Sequence, residues 1–329
     1  MITFLVYVAV ILTIVAIAQL VRVFELASEL RGEKTNDVDE KDNKMNGKIM
    51  FFFLISFFTF CVWQLFKYKD RLLPVSASEH GVLLDWLFNF NMIIITIVFI
   101  LTHIALFYFA YKYYGRTNGT ARFFPHNNKL EMIWTIIPAI VLAVIIIYGL
   151  KTWNTITQPA SENAMIVEIY GKQFDWTARY AGKDNKLGEF NYKLIDGINT
   201  LGLDSSDEKN WDDLVVRNEF HFPLGKEIEF KIRSRDVIHS VFLPHFRAQM
   251  NAVPGMITML HFVPILTTEQ MREKTKNPKF DYILLCNKIC GASHYNMQAT
   301  IVIDTPEEYK KWLSKQTPFF NKQPALAVN

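Results

Sequence analysis

The sequence has little cysteine and lacks the motifs of several functional classes. Only three of its 329 residues are cysteines, and only Cys286 and Cys290 lie close together, which excludes a disulfide framework. The motif C-x-x-C-H does not occur, so the chain carries no covalently attached haem c. A Gly-rich phosphate loop and a basic run are absent too, and a net charge of +3 gives no indication of nucleic-acid binding.

Apolar residues are abundant instead. They make up 50% of the chain, and in its first half they form four runs: Ile2–Phe24, Ile49–Phe66, Leu83–Tyr111 and Met132–Leu150. Each run approaches or exceeds the roughly 20 residues that cross a bilayer. The shortest could instead be a buried or interfacial helix, and the first could be a signal peptide, because Ala16-Ile17-Ala18 resembles a cleavage site. No Lys or Arg precedes the first run, which favours a retained span. We therefore predict four transmembrane helices.

The loops between these runs differ in positive charge. Six Lys or Arg residues lie between Arg22 and Lys48 and four between Lys112 and Lys129, against three between Lys67 and Arg71. Because cytoplasmic loops carry the excess of positive charge, the first and third loops are predicted to be cytoplasmic. Both termini, and everything after Trp153, are then predicted to lie outside.

After Trp153 the sequence changes to short β-type segments separated by turns: AMIVEIYG, KEIEFKIRS, VIHSVFL, MITMLHFV, FDYILLC and MQATIVIDT. This pattern predicts an antiparallel β-sandwich. The polar segment Lys183–Val216 predicts a long insertion, and Thr305, Pro306 and Glu308 predict a capped surface helix. The predicted domains are residues 1–81, the first two spans with a charged cytoplasmic loop; 82–153, a transmembrane hairpin; 154–316, the outer domain; and 317–329, a tail.

The segment CNKICGASHYNM places four metal-binding side chains in one loop: Cys286, Cys290, His294 and Met297. Thiolate, imidazole and thioether are soft donors, which favour copper over zinc, magnesium or calcium. A single-copper site needs only one cysteine, so the second is explained if both sulfurs bridge two copper ions. A second histidine must then come from elsewhere; His239 is the best candidate, with His245, His221 and His261 as competitors. The alternative is a Cys286–Cys290 disulfide, which leaves the histidine and methionine unexplained.

These segments resemble subunit II of the haem–copper cytochrome c oxidases. CNKICGASHYNM matches the pattern C-x-E-x-C-G-x-x-H-x-x-M of that family's copper loop except at its Glu, and DVIHSVFLP followed by QMNAVPG matches its other ligand segment. EMIWTIIPAIVLAVI resembles the family's second transmembrane helix and GKQFDW its aromatic segment. The resemblance covers about Leu83 to Trp312. It implies a bacterial subunit with two additional N-terminal spans, in which four transmembrane helices anchor a cupredoxin-like β-sandwich.

The resemblance also implies a function and a set of ligands. The dinuclear copper centre of the CuA type would be held by His239, Cys286, Cys290, His294 and Met297 and by the backbone carbonyl of Lys288. The chain would take electrons from a cytochrome c and pass them to haem in subunit I, where oxygen is reduced and protons are translocated. No oxygen-reducing site is expected on this chain. Its expected location is the bacterial inner membrane, with the copper domain in the periplasm.

Several residues depart from the family pattern or have a second possible role. Lys288 stands where the family usually has a Glu, and Asn251 where it often has an Asp. The carboxylate that usually binds magnesium against subunit I is therefore missing. The Lys288 ammonium either replaces the magnesium charge there or points into solvent. Phe174 replaces a Trp through which electrons enter, whereas Trp176 is retained; both could instead be sandwich core. Glu131 matches an acid at the mouth of a proton path, or is a helix N-terminal charge.

The alternative function is a membrane-tethered copper carrier or oxidase assembly protein, which would hold a single exchangeable copper ion. The two extra spans either contact a partner complex or serve as lipid-facing anchors. The sequence leaves the donor and the haem type of subunit I open.

Overall fold

The computed structural model describes residues 2–30, 39–121 and 123–320. Three of the loop charges used above, Arg31, Lys34 and Arg122, lie outside the described residues, as does the predicted tail from residue 321 onward.

Four helices of the described residues are long and apolar enough to cross a membrane, as predicted. They are α1 (Ile2–Leu30), α2 (Glu40–Tyr68), α3 (Glu79–Lys112) and α4 (Asn128–Thr157). Helices α2, α3 and α4 each continue beyond their apolar run into polar residues at both ends. In α2 this extension is capped by Asp39, whose side chain accepts a hydrogen bond from the backbone N–H of Asp42 at 2.7 Å.

The chain divides into two compact units, and α3 contributes to both. In the first unit, which comprises residues 1–69 and 95–128, aromatic side chains pack α2 against α3. Phe57 stacks on His103 with ring centroids 5.8 Å apart, and Phe53 lies 5.4 Å from Phe107. The second of the two extra spans therefore contacts the first helix of the hairpin directly.

The second unit, residues 70–94 and 129–329, contains a β-sandwich of two five-stranded sheets. The first sheet has the order β3-β2-β1-β5-β8 and the second β4-β10-β9-β6-β7. The strands are β1 (Met165–Lys172), β2 (Asp175–Tyr180), β3 (Leu214–Arg217), β4 (Glu219–Pro223), β5 (Ile228–Ser234), β6 (His239–Leu243), β7 (Ala248–Ala252), β8 (Thr258–Phe262), β9 (Tyr282–Cys286) and β10 (Gln298–Asp304). Two short helices follow β8 and β10, namely α5 (Thr268–Thr275) and α6 (Pro306–Leu313).

The sandwich is mixed rather than purely antiparallel, which corrects the sequence prediction. β1 pairs in parallel with β5, and β10 pairs in parallel with β4. After β1 and β2 the chain forms β3, enters the second sheet as β4 and returns as β5 beside β1. Parallel neighbours need such long connections. The predicted insertion is also shorter than expected, because its last residues form β3.

Aromatic residues fill the space between the sheets. Phe230 lies 5.4 Å from Phe222 and 5.3 Å from Phe262, and all three are fully buried. Helix α6 has the predicted capping box of Thr305 and Glu308. Its Trp312 stacks on His221 at 4.6 Å and thereby holds the helix on the sandwich.

The segment before α3 is built into the base of the sandwich. The N–H of Ala77 donates to the carbonyl of His245 at 2.7 Å, and the hydroxyl of Ser78 donates to the carbonyl of Phe246 at 2.6 Å. The guanidinium of Arg247 donates to both carboxylate oxygens of Asp85 on α3, at 2.8 and 2.9 Å. These contacts fix the end of β6 to the start of α3, and β6 begins with the candidate ligand His239.

Candidate metal centre

Strand pairing brings His239 and Cys286 together. His239 is the first residue of β6 and Cys286 the last of β9, and these strands are antiparallel neighbours with Val241 opposite Cys286. Sγ of Cys286 lies 3.8 Å from Nδ1 of His239. Because both residues lie where a strand meets a loop, the sheet fixes their backbones while their side chains face one end of the sandwich.

The loop after β9 adds the remaining donors. Sγ of Cys290 lies 3.8 Å from Sγ of Cys286, 3.6 Å from Nδ1 of His294 and 3.8 Å from Sδ of Met297. The carbonyl oxygen of Lys288 lies 3.2 Å from Sγ of Cys286. All six predicted ligand groups therefore converge, and the loop is closed by a 3.0 Å hydrogen bond from the N–H of Cys286 to the carbonyl of Met297.

The donors are protected from solvent. His239, both cysteines and Met297 are buried, and His294 is half-buried. Burial and the neighbouring Cys286 thiol raise the pKa of Cys290 to about 11. The sulfurs therefore bind a metal only with loss of protons.

A second layer of polar contacts orients the donors. Oδ1 of Asp236 lies 2.8 Å from Nε2 of His239, and Oδ2 accepts a 2.8 Å hydrogen bond from the N–H of Gln173. The side-chain amide of Gln173 donates to the carbonyl of Cys290 at 2.5 Å. Burial alone would raise the pKa of Asp236, but the hydrogen bonds from Gln173, His239 and Val237 outweigh it and lower that pKa. Asp236 is thus held as a carboxylate against the imidazole.

The two aromatic residues of GKQFDW differ in how deeply they are buried. Trp176 is 1% exposed, and its ring centroid lies 5.8 Å from that of His239. Phe174 is half-buried and lies against Gly291 of the copper-loop segment. Trp176 therefore contacts the candidate ligand but not the surface, whereas Phe174 lies between the loop and solvent.

Two glycines permit this packing. A Cβ on Gly171 would lie 2.7 Å from Cζ3 of Trp176 and 3.3 Å from Cδ2 of His239. Gly291 has a φ of +142°, and a Cβ there would lie 2.8 Å from Cζ of Phe174. No local sequence pattern marks either glycine as a close-approach position or Gln173 as a contact of the loop.

The other three histidines considered as ligands bond to or pack against residues outside this cluster. His221 bonds to Asp304 at 2.6 Å, and His261 bonds to Glu227 at 2.9 Å. His245 packs against Phe280 and Tyr282. Glu131 is in the first turn of α4.

Lys288 and Asn251 are both exposed, so their side chains are open to a partner or to solvent.

This donor set fits copper. Two thiols, two imidazoles and a thioether are the soft ligands that copper prefers, and no carboxylate lies among them. Within the described residues, His239, Cys286 and Cys290 have ligand atoms that lie within 4.8 Å of one another. The outer nitrogen of His239 is held by a carboxylate, as is usual for metal-binding histidines.

Comparison with known proteins identifies related families and relatives. Residues 62–152 match the family model "Cytochrome C oxidase subunit II, transmembrane domain", and residues 165–305 match "Cytochrome C oxidase subunit II, periplasmic domain". The alternative cytochrome c oxidase subunit 2 of Bradyrhizobium diazoefficiens is 35% identical over 225 residues, which cover 67% of this chain and 76% of that protein. The cytochrome c oxidase subunit 2 of Cereibacter sphaeroides is 26% identical over 253 residues, covering 73% and 78%.

A solved structure is also similar. The crystal structure of the periplasmic domain of cytochrome oxidase subunit II from Bradyrhizobium japonicum aligns with a TM-score of 0.32 and 24% identity, covering 47% of this chain and 94% of that one.

Proposed function

Because the chain belongs to the cytochrome c oxidase subunit II family, we propose that it is the subunit at which electrons enter a terminal oxidase. It takes electrons from a cytochrome c and passes them to haem in subunit I, where oxygen reduction is coupled to proton translocation. The chain is a membrane protein with a periplasmic domain and part of an oxidoreductase. We assign it to the bacterial inner membrane.

One observation carries this proposal. Two thiols, two imidazoles, a thioether and a backbone carbonyl converge with neighbouring contacts of 3.2–3.8 Å. We assign the ligands of two copper ions to His239, Cys286, Cys290, His294, Met297 and the carbonyl of Lys288. Held by these residues, a copper pair would supply a centre that accepts and releases single electrons.

The protein's own residues keep that site rigid and dry. β6 and β9 hold His239 and Cys286, and Asp236 orients the imidazole so that Nδ1 faces the sulfur. The half-buried ring of Phe174 covers the loop at Gly291 and is our candidate for the donor contact, with Trp176 behind it. Glu131, in the first turn of α4, is assigned to the mouth of a proton path on the cytoplasmic side.

Lys288 distinguishes this chain from the usual family pattern. Its carbonyl is oriented toward Cys286 while its side chain is exposed. We propose that its ammonium takes the place of the magnesium charge at the contact with subunit I. A stoichiometric magnesium ion at that contact in the purified oxidase would contradict this assignment.

Electron paramagnetic resonance of the copper-loaded full chain tests the proposed function. We expect a hyperfine pattern in which one unpaired electron is shared equally by two copper nuclei, and two copper ions per chain by metal analysis. A pattern from a single copper nucleus, with copper that exchanges readily, would support the copper carrier or assembly protein instead.

A further inference from the structure

A large groove lies at the opposite end of β1 from the copper site. It runs between the start of β1, the loop after β2, the turn after β4 and helix α6, and it encloses about 1380 Å³. We call it the lysine groove, because four of its lining residues are Lys183, Lys186, Lys226 and Lys310. None of its lining residues has a role in the proposed copper centre.

The floor of the lysine groove is apolar. Met165 and Leu214 contribute from the first sheet, and Leu224 from the turn after β4. Leu313 of α6 closes one side and is 37% exposed. The hydroxyl of Tyr309 on the same helix contacts Sδ of Met165 at 3.8 Å, which holds α6 beside the start of β1. The groove thus offers an apolar surface to a ligand.

The charges at its rim favour an anion. In the part of the chain that the structure describes, none of the four lysine ammonium groups has an ion pair. Two of the three lining carboxylates are directed to backbone instead: Asp212 accepts from the N–H of Lys183 at 2.6 Å, and Asp184 accepts from the N–H of Lys186 at 2.8 Å. Glu162 is the third. The lysine head groups remain available to an external anion.

The groove also lies close to the outer ends of both hairpin helices. The N–H of Gly225, which lines the groove, donates to the carbonyl of Pro264 at 2.9 Å, and Pro264 forms a bridge with Ser78, immediately before α3. Helix α4 ends at Thr157, and Glu162 of the groove follows five residues later. Five residues span at most about 18 Å, so this rim lies within that distance of the end of α4.

We propose that the lysine groove binds an anionic phospholipid of the surrounding membrane. The lysines would contact its phosphate, and an acyl chain would lie along the floor formed by Met165, Leu214 and Leu224, beside Leu313. Free phosphate would use the charges but leave the apolar floor uncovered, and a zwitterionic lipid would gain little from the lysines. The combination of an apolar floor, free ammonium groups and helix ends favours the anionic lipid.

Photo-crosslinking in lipid vesicles tests the proposal with the full chain. A photoactivatable phosphatidylglycerol should label the α6 segment around Leu313, and the matching phosphatidylcholine probe should label it much less. Each lysine near an anionic lipid is worth on the order of fivefold in binding. Lys183→Gln with Lys310→Gln should therefore lower groove labelling by roughly tenfold or more at low salt, whereas the control pair Lys274→Gln with Lys279→Gln should not.

Equal labelling of α6 by both probes would overturn the assignment, and so would equal loss of labelling in the control pair. Competition by inorganic phosphate at millimolar concentration would overturn it too, because it would mean that the groove recognises the anion alone. Labelling confined to the transmembrane helices would overturn it as well, and would leave the groove to an acidic segment of a partner protein. Copper content serves as the folding control, since no groove residue touches the copper site.

Discussion

Asp236 holds His239 from the side opposite the cysteines. Its Oδ1 lies 2.8 Å from Nε2 of the ring, while Nδ1 lies 3.8 Å from Sγ of Cys286. A carboxylate at Nε2 fixes the proton there and leaves the Nδ1 lone pair directed at the sulfur. Asp236 therefore selects the tautomer that can bind a metal.

Replacing Asp236 should weaken metal binding. Asp236→Ala is expected to lower copper affinity by roughly 10–100-fold, because the ring loses its orienting partner; Asp236→Asn, which keeps an acceptor oxygen, should lose less. Competition with a copper chelator measures the change. Asp175→Ala is the matched control, since that carboxylate is nearby but pairs with Lys172 at 3.4 Å. Equal copper affinities in the Asp236 and Asp175 variants would show that the contact between Asp236 and His239 does not contribute to copper binding.

Adding one methyl group at Gly171 should disturb the same centre. The new Cβ would lie 2.7 Å from the ring of Trp176 and 3.3 Å from that of His239. Overpacking of this kind costs about 1–3 kcal/mol, so Gly171→Ala should unfold at lower temperature and load less copper. Gly197→Ala is the control, because nothing lies within 4 Å of a Cβ there. Similar unfolding temperatures for both variants would contradict the close packing.

Features whose residues lie close together in the chain could be predicted from the sequence. The four spans are predictable because each helix carries its own apolar run, and Cys286, Cys290, His294 and Met297 are predictable as ligands because one loop contains them. Distant pairings are not encoded in this way. The parallel neighbours β1 and β5, and the attachment of Ala77 and Ser78 to the base of the sandwich, depend on connections between remote segments. Likewise, nothing adjacent to Gln173 indicates that its amide reaches Cys290.

His221 should make the stability of the sandwich depend on pH. Burial alone would lower its pKa, but hydrogen bonds to Asp304 and Glu219 outweigh burial and raise it. The unfolded chain has a histidine pKa of about 6.5. The stabilisation is therefore fully present below about pH 6.5 and is lost as the pH rises through the higher folded value.

The substitution His221→Phe isolates this effect, because it retains a ring to stack on Trp312 but cannot titrate. We expect the unfolding temperature of the native chain to exceed that of His221→Phe most at acidic pH, and the difference to shrink as the pH becomes alkaline. Thermal unfolding in detergent, followed over this range, measures it. A difference that stays constant with pH would assign His221 to packing alone.

Phe174 should matter for electron transfer but not for copper binding. If it is the donor contact, Phe174→Ala should slow reduction of the copper centre by cytochrome c by roughly tenfold, the loss typical of a key interface side chain. Stopped-flow reduction measures the rate, and the copper absorption spectrum should be unchanged. Phe190→Ala removes another half-buried ring, from the separate cluster around Tyr170 and Leu201, and serves as the control. Unaltered rates in Phe174→Ala would mean that its ring only packs on Gly291.

Glu131 can be assigned by comparison with a second acid at an equivalent helix position. Glu131 lies in the first turn of α4 and Glu79 in the first turn of α3, on the opposite side of the membrane in the predicted topology. Both favour their helix N-terminus electrostatically, so a helix-dipole contribution should be lost in either Gln variant. Only a proton-path role predicts that Glu131→Gln slows oxygen consumption by at least about tenfold at unchanged copper content while Glu79→Gln does not. Equal turnover in the two variants would leave Glu131 as a helix charge.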